Sequence, residues 1–216
     1  MNTHTSNADV PFADIPVADL PVADIPVVIF CGGEGTRMRG GTLTKKELVE
    51  IGGRPIIWHV MRIYSTYGFR KFVLPLGYEA AQLRRYFLDY EAMTRDFTVR
   101  LGDRAGQIDF RGPEQHPEWE VSLVDTGLRT DKASRIARVA NYLTADRFCV
   151  TYGDGVGDVD LAALMAFHHA HGKTATITAF QPSHYQYGTM VAGDDGLVTE
   201  YVQYPELPYW INAGFM

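Results

Sequence analysis

Cysteine is scarce in this chain: 216 residues contain two, Cys31 and Cys149, each inside a short apolar segment. That usage excludes a disulfide-stapled scaffold and fits buried, reduced thiols, which makes the cytoplasm the expected location. Long apolar runs are missing as well. No window approaches the roughly 18 consecutive apolar residues of a membrane span, and the N-terminus lacks the basic segment and apolar core of a signal peptide. Neither membrane association nor export is expected. Cationic clusters are the third absence. Lys and Arg number 20 against 26 Asp and Glu, the formal net charge is -6, and the cations are scattered, so no footprint for a nucleic-acid backbone is present.

What is present begins with a repeat. "PFADIPVADLPVADIPVVIF", Pro11 to Phe30, carries proline at every fifth position, which blocks a continuous helix, and a single aspartate per unit. We read residues 1–25 as an extended, mobile leader and 26–216 as one α/β domain. A composition with 46% hydrophobic and 12% aromatic residues suffices to fill a core of that size.

Beyond the leader, short β-branched runs alternate with helical periods. Val27 to Cys31 reads as the first strand. "RPIIWHVMRIYSTYG" then puts Pro55 at a helix start, Ile56, Ile57, Val60, Met61 and Tyr64 along one face, and Gly68 as a stop. "KFVLPLG" reads as a strand, Glu79 to Leu88 as a helix, "VSLVD" as a strand after a loop, "SRIARVANYL" as a helix and "RFCVTYGDG" as a strand. A helix from Asp160 to Ala170 and the strands "TATITAF" and "GLVTEYV" complete the series. The alternation predicts a Rossmann-like, doubly wound, mostly parallel sheet with ligands at the carboxyl ends of its strands.

Both glycine-rich loops leave such ends. In "CGGEGTRM", Gly32, Gly33 and Gly35 let successive backbone N–H groups turn inward around an anion, with Arg37 beyond them to neutralise its charge. The closing Gly-Lys-Ser/Thr of a P-loop and the spacing G-x-G-x-x-G are both absent, so a phosphate cradle and a flexible loop remain alternatives on spacing alone. In "TYGDGVGDVD", Asp154 stands between glycines, which suits a Mg²⁺ that takes one carboxylate and fills its other positions with phosphate and water. Asp158 and Asp160 fall where the next helix begins and read as N-caps. Lys45 and Lys46 read either as solvated surface or as a source of one cation over the phosphates. In "FHHAHG", His168 and His171 share a helix face, and a helix end, where imidazole suits the negative dipole, accounts for them without a metal.

Taken in order, "CGGEGTRM", a lysine, "ELVEIGGRPIIWHVM", "GY", "EWEVSLVDTG" and "TYGDGVGDVDL" resemble the sugar-1-phosphate nucleotidyltransferases, most specifically the glucose-1-phosphate cytidylyltransferase branch, from about Val27 to Met216. The resemblance implies that CTP and a sugar 1-phosphate, glucose 1-phosphate first, become a CDP-sugar and pyrophosphate with Mg²⁺. By the same resemblance Gly32, Gly33, Gly35, Thr36 and Arg37 hold the triphosphate, Lys46 meets the α-phosphate and leaving group, and Gly77 and Tyr78 lie near the base. Asp154 binds the metal, and Arg37, Lys46 and Asp154 are the catalytic set. Gly188, Gln203, Tyr204 and Asn212 fall where the family holds the sugar phosphate.

The departures from the pattern are as informative. Lys45 and Glu47 stand where the family's lysine is flanked by prolines, so the lysine assignment has Lys45 as its alternative. The family's "TGGR" stretch reads Lys132, Ala133, Ser134, Arg135 here, which removes glycine freedom near a ligand-facing loop. Gln203, Tyr204 and Pro205 replace Glu-Lys-Pro, and a phenol does not match an ammonium for holding a dianion. In the family the Asn-x-Gly-Phe strand is followed by a segment with a second metal-binding aspartate, so a chain ending at Met216 is expected to be truncated or completed by another chain. Three functional readings follow: a cytidylyltransferase, a non-catalytic or altered-acceptor nucleotide-binding relative, and a transferase using another nucleoside triphosphate. The edge strand expected at the end leaves room for a homo-oligomer.

Overall fold

The structure is a computed structural model, and it describes residues 22–33, 45–102, 106–112, 118–182, 187–205 and 209–216. Most of the proline repeat and, within the first glycine loop, Gly35, Thr36 and Arg37 lie outside the described residues. In chain order the elements are β1 (Val27–Phe30), β2 (Glu50–Ile51), β3 (Arg54–Pro55), α1 (Ile56–Thr66), β4 (Lys71–Leu76), α2 (Ala80–Leu88), α3 (Tyr90–Thr94), β5 (Asp96–Arg100) and β6 (Gln107–Arg111). They continue with β7 (Glu120–Asp125), α4 (Lys132–Arg138), β8 (Cys149–Tyr152), α5 (Leu161–His171), β9 (Ala179–Phe180), β10 (Thr189–Ala192), β11 (Val198–Val202) and β12 (Ile211–Asn212).

Helix α1 starts where the sequence says it should. Pro55 precedes it at φ -67°, its missing N–H costs nothing there, and Gly68 at φ +96° closes the turn beyond it. Ile57, Val60, Met61 and Tyr64 are buried, and burial of each of the first three is worth about 1.5–3 kcal/mol. Asp160 caps α5 by accepting the Ala163 N–H at 2.9 Å, as its position before the apolar run predicted.

Strands β7, β4, β1 and β8 form, in that order, a parallel sheet. The two central strands, β1 and β4, are almost wholly apolar on both faces because both faces are covered. Val27, Ile29, Phe72, Leu74 and Cys149 point to one side, against residues of α1, α2 and α5. Val28, Val73 and Val150 point to the other, against Val139 and Ile136 of the α4 segment. This is the doubly wound arrangement expected. Cys31 and Cys149 are free and buried, and burial pushes the Cys149 thiol up to about 12. Among the described residues, no helix is long and apolar enough to cross a membrane.

The second half departs from the expectation. "TATITAF" yields only β9, antiparallel to β12, and "GLVTEYV" yields β11, antiparallel to β10. Neither extends the parallel sheet. The connector between β10 and β11 is too short for a parallel crossover, which needs a dozen residues or more. The stretch read as a loop before "VSLVD" holds α3 and the β5–β6 hairpin. At the outer edge of β8 the chain returns antiparallel: Thr151 bridges Phe215, and Val150 exchanges backbone hydrogen bonds with Met216 at 2.9 and 3.0 Å.

Candidate active site

The order β7-β4-β1-β8 means that the chain leaves β1 toward β4 on one side and later returns to β8 on the other. Such a reversal opens a crevice beyond the carboxyl ends of the two strands, the usual ligand position in open α/β sheets. Gly32 and Gly33 follow β1, Gly77 and Tyr78 follow β4, and Gly153 and Asp154 follow β8. Six residues that are far apart in sequence thus meet at one rim.

Two of the glycines are required by packing. A Cβ on Gly32 would lie 2.8 Å from Arg135 Nε, and one on Gly77 would lie 2.8 Å from both terminal nitrogens of the same guanidinium. Arg135 is 5% exposed and uses this space to donate to Leu76 O at 2.9 Å, Thr126 Oγ1 at 2.5 Å, Gly32 O at 3.2 Å and Leu128 O at 3.3 Å. One side chain from α4 thereby ties the ends of β1, β4 and β7 together. Gly33 meets nothing within 4 Å, so its face of the loop is open. The sequence gives Arg135 no role of its own; the signals available are the arginine it shares with "TGGR" and its spacing of four from the buried Val139 at the end of the same helix.

The lysines separate sharply. Lys46 opens a one-turn 3₁₀ segment, Lys46–Leu48, and its ammonium bonds to Asp154 Oδ2. That contact joins the two predicted working groups across the crevice. Lys45 corrects the solvated-surface reading: it is 4% exposed, its Nζ donates to Tyr78 O at 3.0 Å, and it lies 3.5 Å from Glu47 Oε2. Glu47, which the sequence did not single out as buried, is 1% exposed. Burial raises its carboxyl from the ordinary range, against the opposing pull of Lys45. Glu79, directly after Tyr78, is held at φ +52°, a left-handed conformation in a non-glycine residue at the rim of the site.

The residues expected around the sugar phosphate lie in the chain's second half. Gly188 packs under the Tyr201 ring, and Tyr201 OH donates to Gln203 Oε1, so these belong to the β10–β11 pair. Tyr204 is exposed and adopts φ +56°. Asn212 uses its side-chain oxygen to accept the Gly214 N–H at 2.7 Å. Gly214 in turn lies against the Tyr152 ring, which places the Asn212–Phe215 segment beside the end of β8. Trp58 donates to Tyr90 OH at 2.9 Å, and the His59 ring nitrogen donates to Ile51 O at 2.9 Å, so both are structural. His168 and His171 share Thr176 Oγ1, at 2.8 and 2.7 Å.

As a metal site, the crevice offers, among the described residues, the carboxylate of Asp154, which is exposed between two glycines. No cluster of three or more His, Cys, Asp or Glu suited to a metal occurs among the described residues. That donor set fits Mg²⁺, which binds through one or two carboxylates plus phosphate oxygens and water, and fits poorly a metal caged wholly by protein.

Comparison with known proteins decides the family. The nucleotidyl transferase family matches residues 26–215. The chain belongs to that family. A "Probable glucose-1-phosphate cytidylyltransferase" of Bacillus subtilis (strain 168) is 37% identical over 189 residues, covering 87% of this chain and 72% of that protein. The "Glucose-1-phosphate cytidylyltransferase" of Salmonella typhimurium is 42% identical over 157 residues, covering 72% of this chain and 60% of its own length. This nucleotidyl transferase chain therefore spans 60–72% of those relatives. The crystal structure of HddC from Yersinia pseudotuberculosis complexed with GMP-PN shares the fold, at a TM-score of 0.54 and 20% identity over 88% of this chain and 75% of that one.

Proposed function

We propose that this chain transfers CMP from CTP to a sugar 1-phosphate, with glucose 1-phosphate as the first acceptor to test, giving a CDP-sugar and pyrophosphate. The observation that carries the reading is the Lys46–Asp154 contact across the β1/β8 crevice. Family membership and the cytidylyltransferase relatives support the choice of reaction and of base.

In this reading a phosphate oxygen of the sugar phosphate attacks the α-phosphorus of CTP, forming one P–O bond as the bond to the β-phosphate breaks and pyrophosphate leaves. No protein nucleophile is needed; positioning and neutralisation of charge supply the catalysis. Open amides around Gly33 would receive the triphosphate, with Thr36 and Arg37 beyond them. Lys46 would leave Asp154 for the α-phosphate and leaving group. Asp154 and the phosphates would together hold Mg²⁺, which supplies charge neutralisation when bound. Tyr78, half-exposed beside Gly77, would border the base.

Pyrophosphate release with each of four nucleoside triphosphates, glucose 1-phosphate and Mg²⁺, beside a Lys46→Ala control, tests the reading. Release with CTP that vanishes in the control supports it. Release with another triphosphate moves the assignment to a different base. CTP binding without release moves it to a non-catalytic or altered-acceptor relative, a reading favoured by Gln203 and Tyr204 at the acceptor positions.

A further inference from the structure

Lys45 and Glu47 flank Lys46 and take no part in the chemistry described, yet they are among the most deeply buried charged residues. A buried ion pair is weak support for stability, because the cost of desolvating both charges offsets their attraction. Its use must be sought in what it holds in place. On one side Lys45 is fastened to the β4–α2 corner twice, by its Nζ to Tyr78 O and by its backbone N–H to Gln82 Oε1, both at 3.0 Å. On the other side Glu47 is wedged beneath the end of β8: a Cβ on Gly153 would lie 2.9 Å from Glu47 Cγ and 2.9 Å from Cys31 Sγ. The pair closes on itself at 3.5 Å, and Leu48 N donates to Lys45 O at 2.8 Å to complete the turn.

We propose that Lys45 and Glu47 are positioning residues that lock the turn carrying Lys46 between the β4–α2 corner and Gly153, and so fix the Lys46 ammonium opposite Asp154. The proposal rests on the reading of Lys46 as a working lysine. Where the resemblance has two prolines to stiffen the backbone on either side of the lysine, this chain uses charge and burial to the same end.

The test compares Lys45→Met, Glu47→Gln and the double variant Lys45→Met/Glu47→Leu, which leaves no lone buried charge. The first readout needs no turnover: competitive acylation of lysine ammonium groups, followed by mass spectrometry, with Lys71 as the internal reference. An ammonium held against a carboxylate reacts slowly, so the folded variants should acylate Lys46 several-fold faster than the wild type. The second readout is steady-state kinetics, where misplacing the lysine by about 1 Å should lower kcat by about 100-fold with KM for CTP little changed. Unchanged Lys46 acylation in the folded double variant overturns the proposal, even if activity falls. A double variant that does not fold also overturns it, since the pair then carries the fold rather than the lysine. A wild type that releases no pyrophosphate with any triphosphate defeats the transferase reading alone, because the acylation result stands without it.

Discussion

The Arg135 guanidinium occupies the space in which a side chain on Gly32 would begin, with Nε 2.8 Å from the position of the missing Cβ. A buried cation and an empty glycine are therefore one feature, and changing either disturbs the other.

Gly32→Ala and Gly33→Ala should behave oppositely. The first forces Arg135 out of four hydrogen bonds and should cost about 1–3 kcal/mol, the usual penalty for overpacking. The second meets nothing within 4 Å and should change stability by less than about 0.5 kcal/mol while weakening nucleotide binding. Urea denaturation and CTP titration of both variants check this.

Arg135→Ala leaves the carbonyls of Gly32 and Leu76 and the Thr126 hydroxyl without their donor. A loss of roughly 3 kcal/mol is expected, since buried acceptors stripped of a charged partner cost about 1–3 kcal/mol each before relaxation. Equal urea midpoints for variant and wild type would contradict it.

Lys46→Ala should separate function from stability. Its contact with Asp154 is partly solvated on both sides, at 28% and 38% side-chain exposure, and such pairs contribute about 0–1 kcal/mol. Pyrophosphate release should nevertheless fall by about 100-fold or more, as when a charge-stabilising donor is removed from a reaction centre. Melting temperature and initial rate, measured on the same preparation, give the comparison.

The His171–Thr176–His168 chain predicts a pH dependence of stability. Lys173 N–H donates to His171 Nδ1 at 2.8 Å, so His171 Nε2–H donates to the Thr176 hydroxyl, which passes its own proton to His168 Nδ1. Burial first, then the nearby His171, Arg147 and His169, hold the His168 pKa below its ordinary value. A lowered histidine pKa means that its contribution is complete above the unfolded value of about 6.5 and is lost as pH falls through the folded value. Melting curves from pH 8 down to 5 should therefore decline below about 6.5, with a shallower decline in His168→Gln.

Cys31 is fully buried, and burial followed by the neighbouring Glu47 carboxylate raises its thiol well above the ordinary value. Native protein should react with a thiol reagent far more slowly than protein in denaturant, at both cysteines. Rapid labelling of the folded chain would be inconsistent with the core described.

How much of this was legible in the sequence depends on whether a residue's role is local. The period of "IIWHVMRIY" and the β-branched runs of β1, β4, β7 and β8 reveal the elements, because helix and strand periods are properties of neighbouring residues. The partners of "TATITAF" and "GLVTEYV" were misread, because alternation marks a strand without naming the strand it pairs with. Asp154 and Lys46 were found through their motifs, and their contact spans 108 positions that no local pattern records. Lys45 and Glu47 were missed as buried groups, since a charged residue is ordinarily solvent-exposed unless a partner is folded against it.

That span has a consequence for how the molecule assembles. The contact closes a loop of 108 residues, and the parallel pairings of β1 with β4 and with β8 offset that entropy where a partly solvated ion pair alone would not. The Lys46–Asp154 junction is thus a property of the assembled sheet, and a change that loosens either strand pairing should loosen it too.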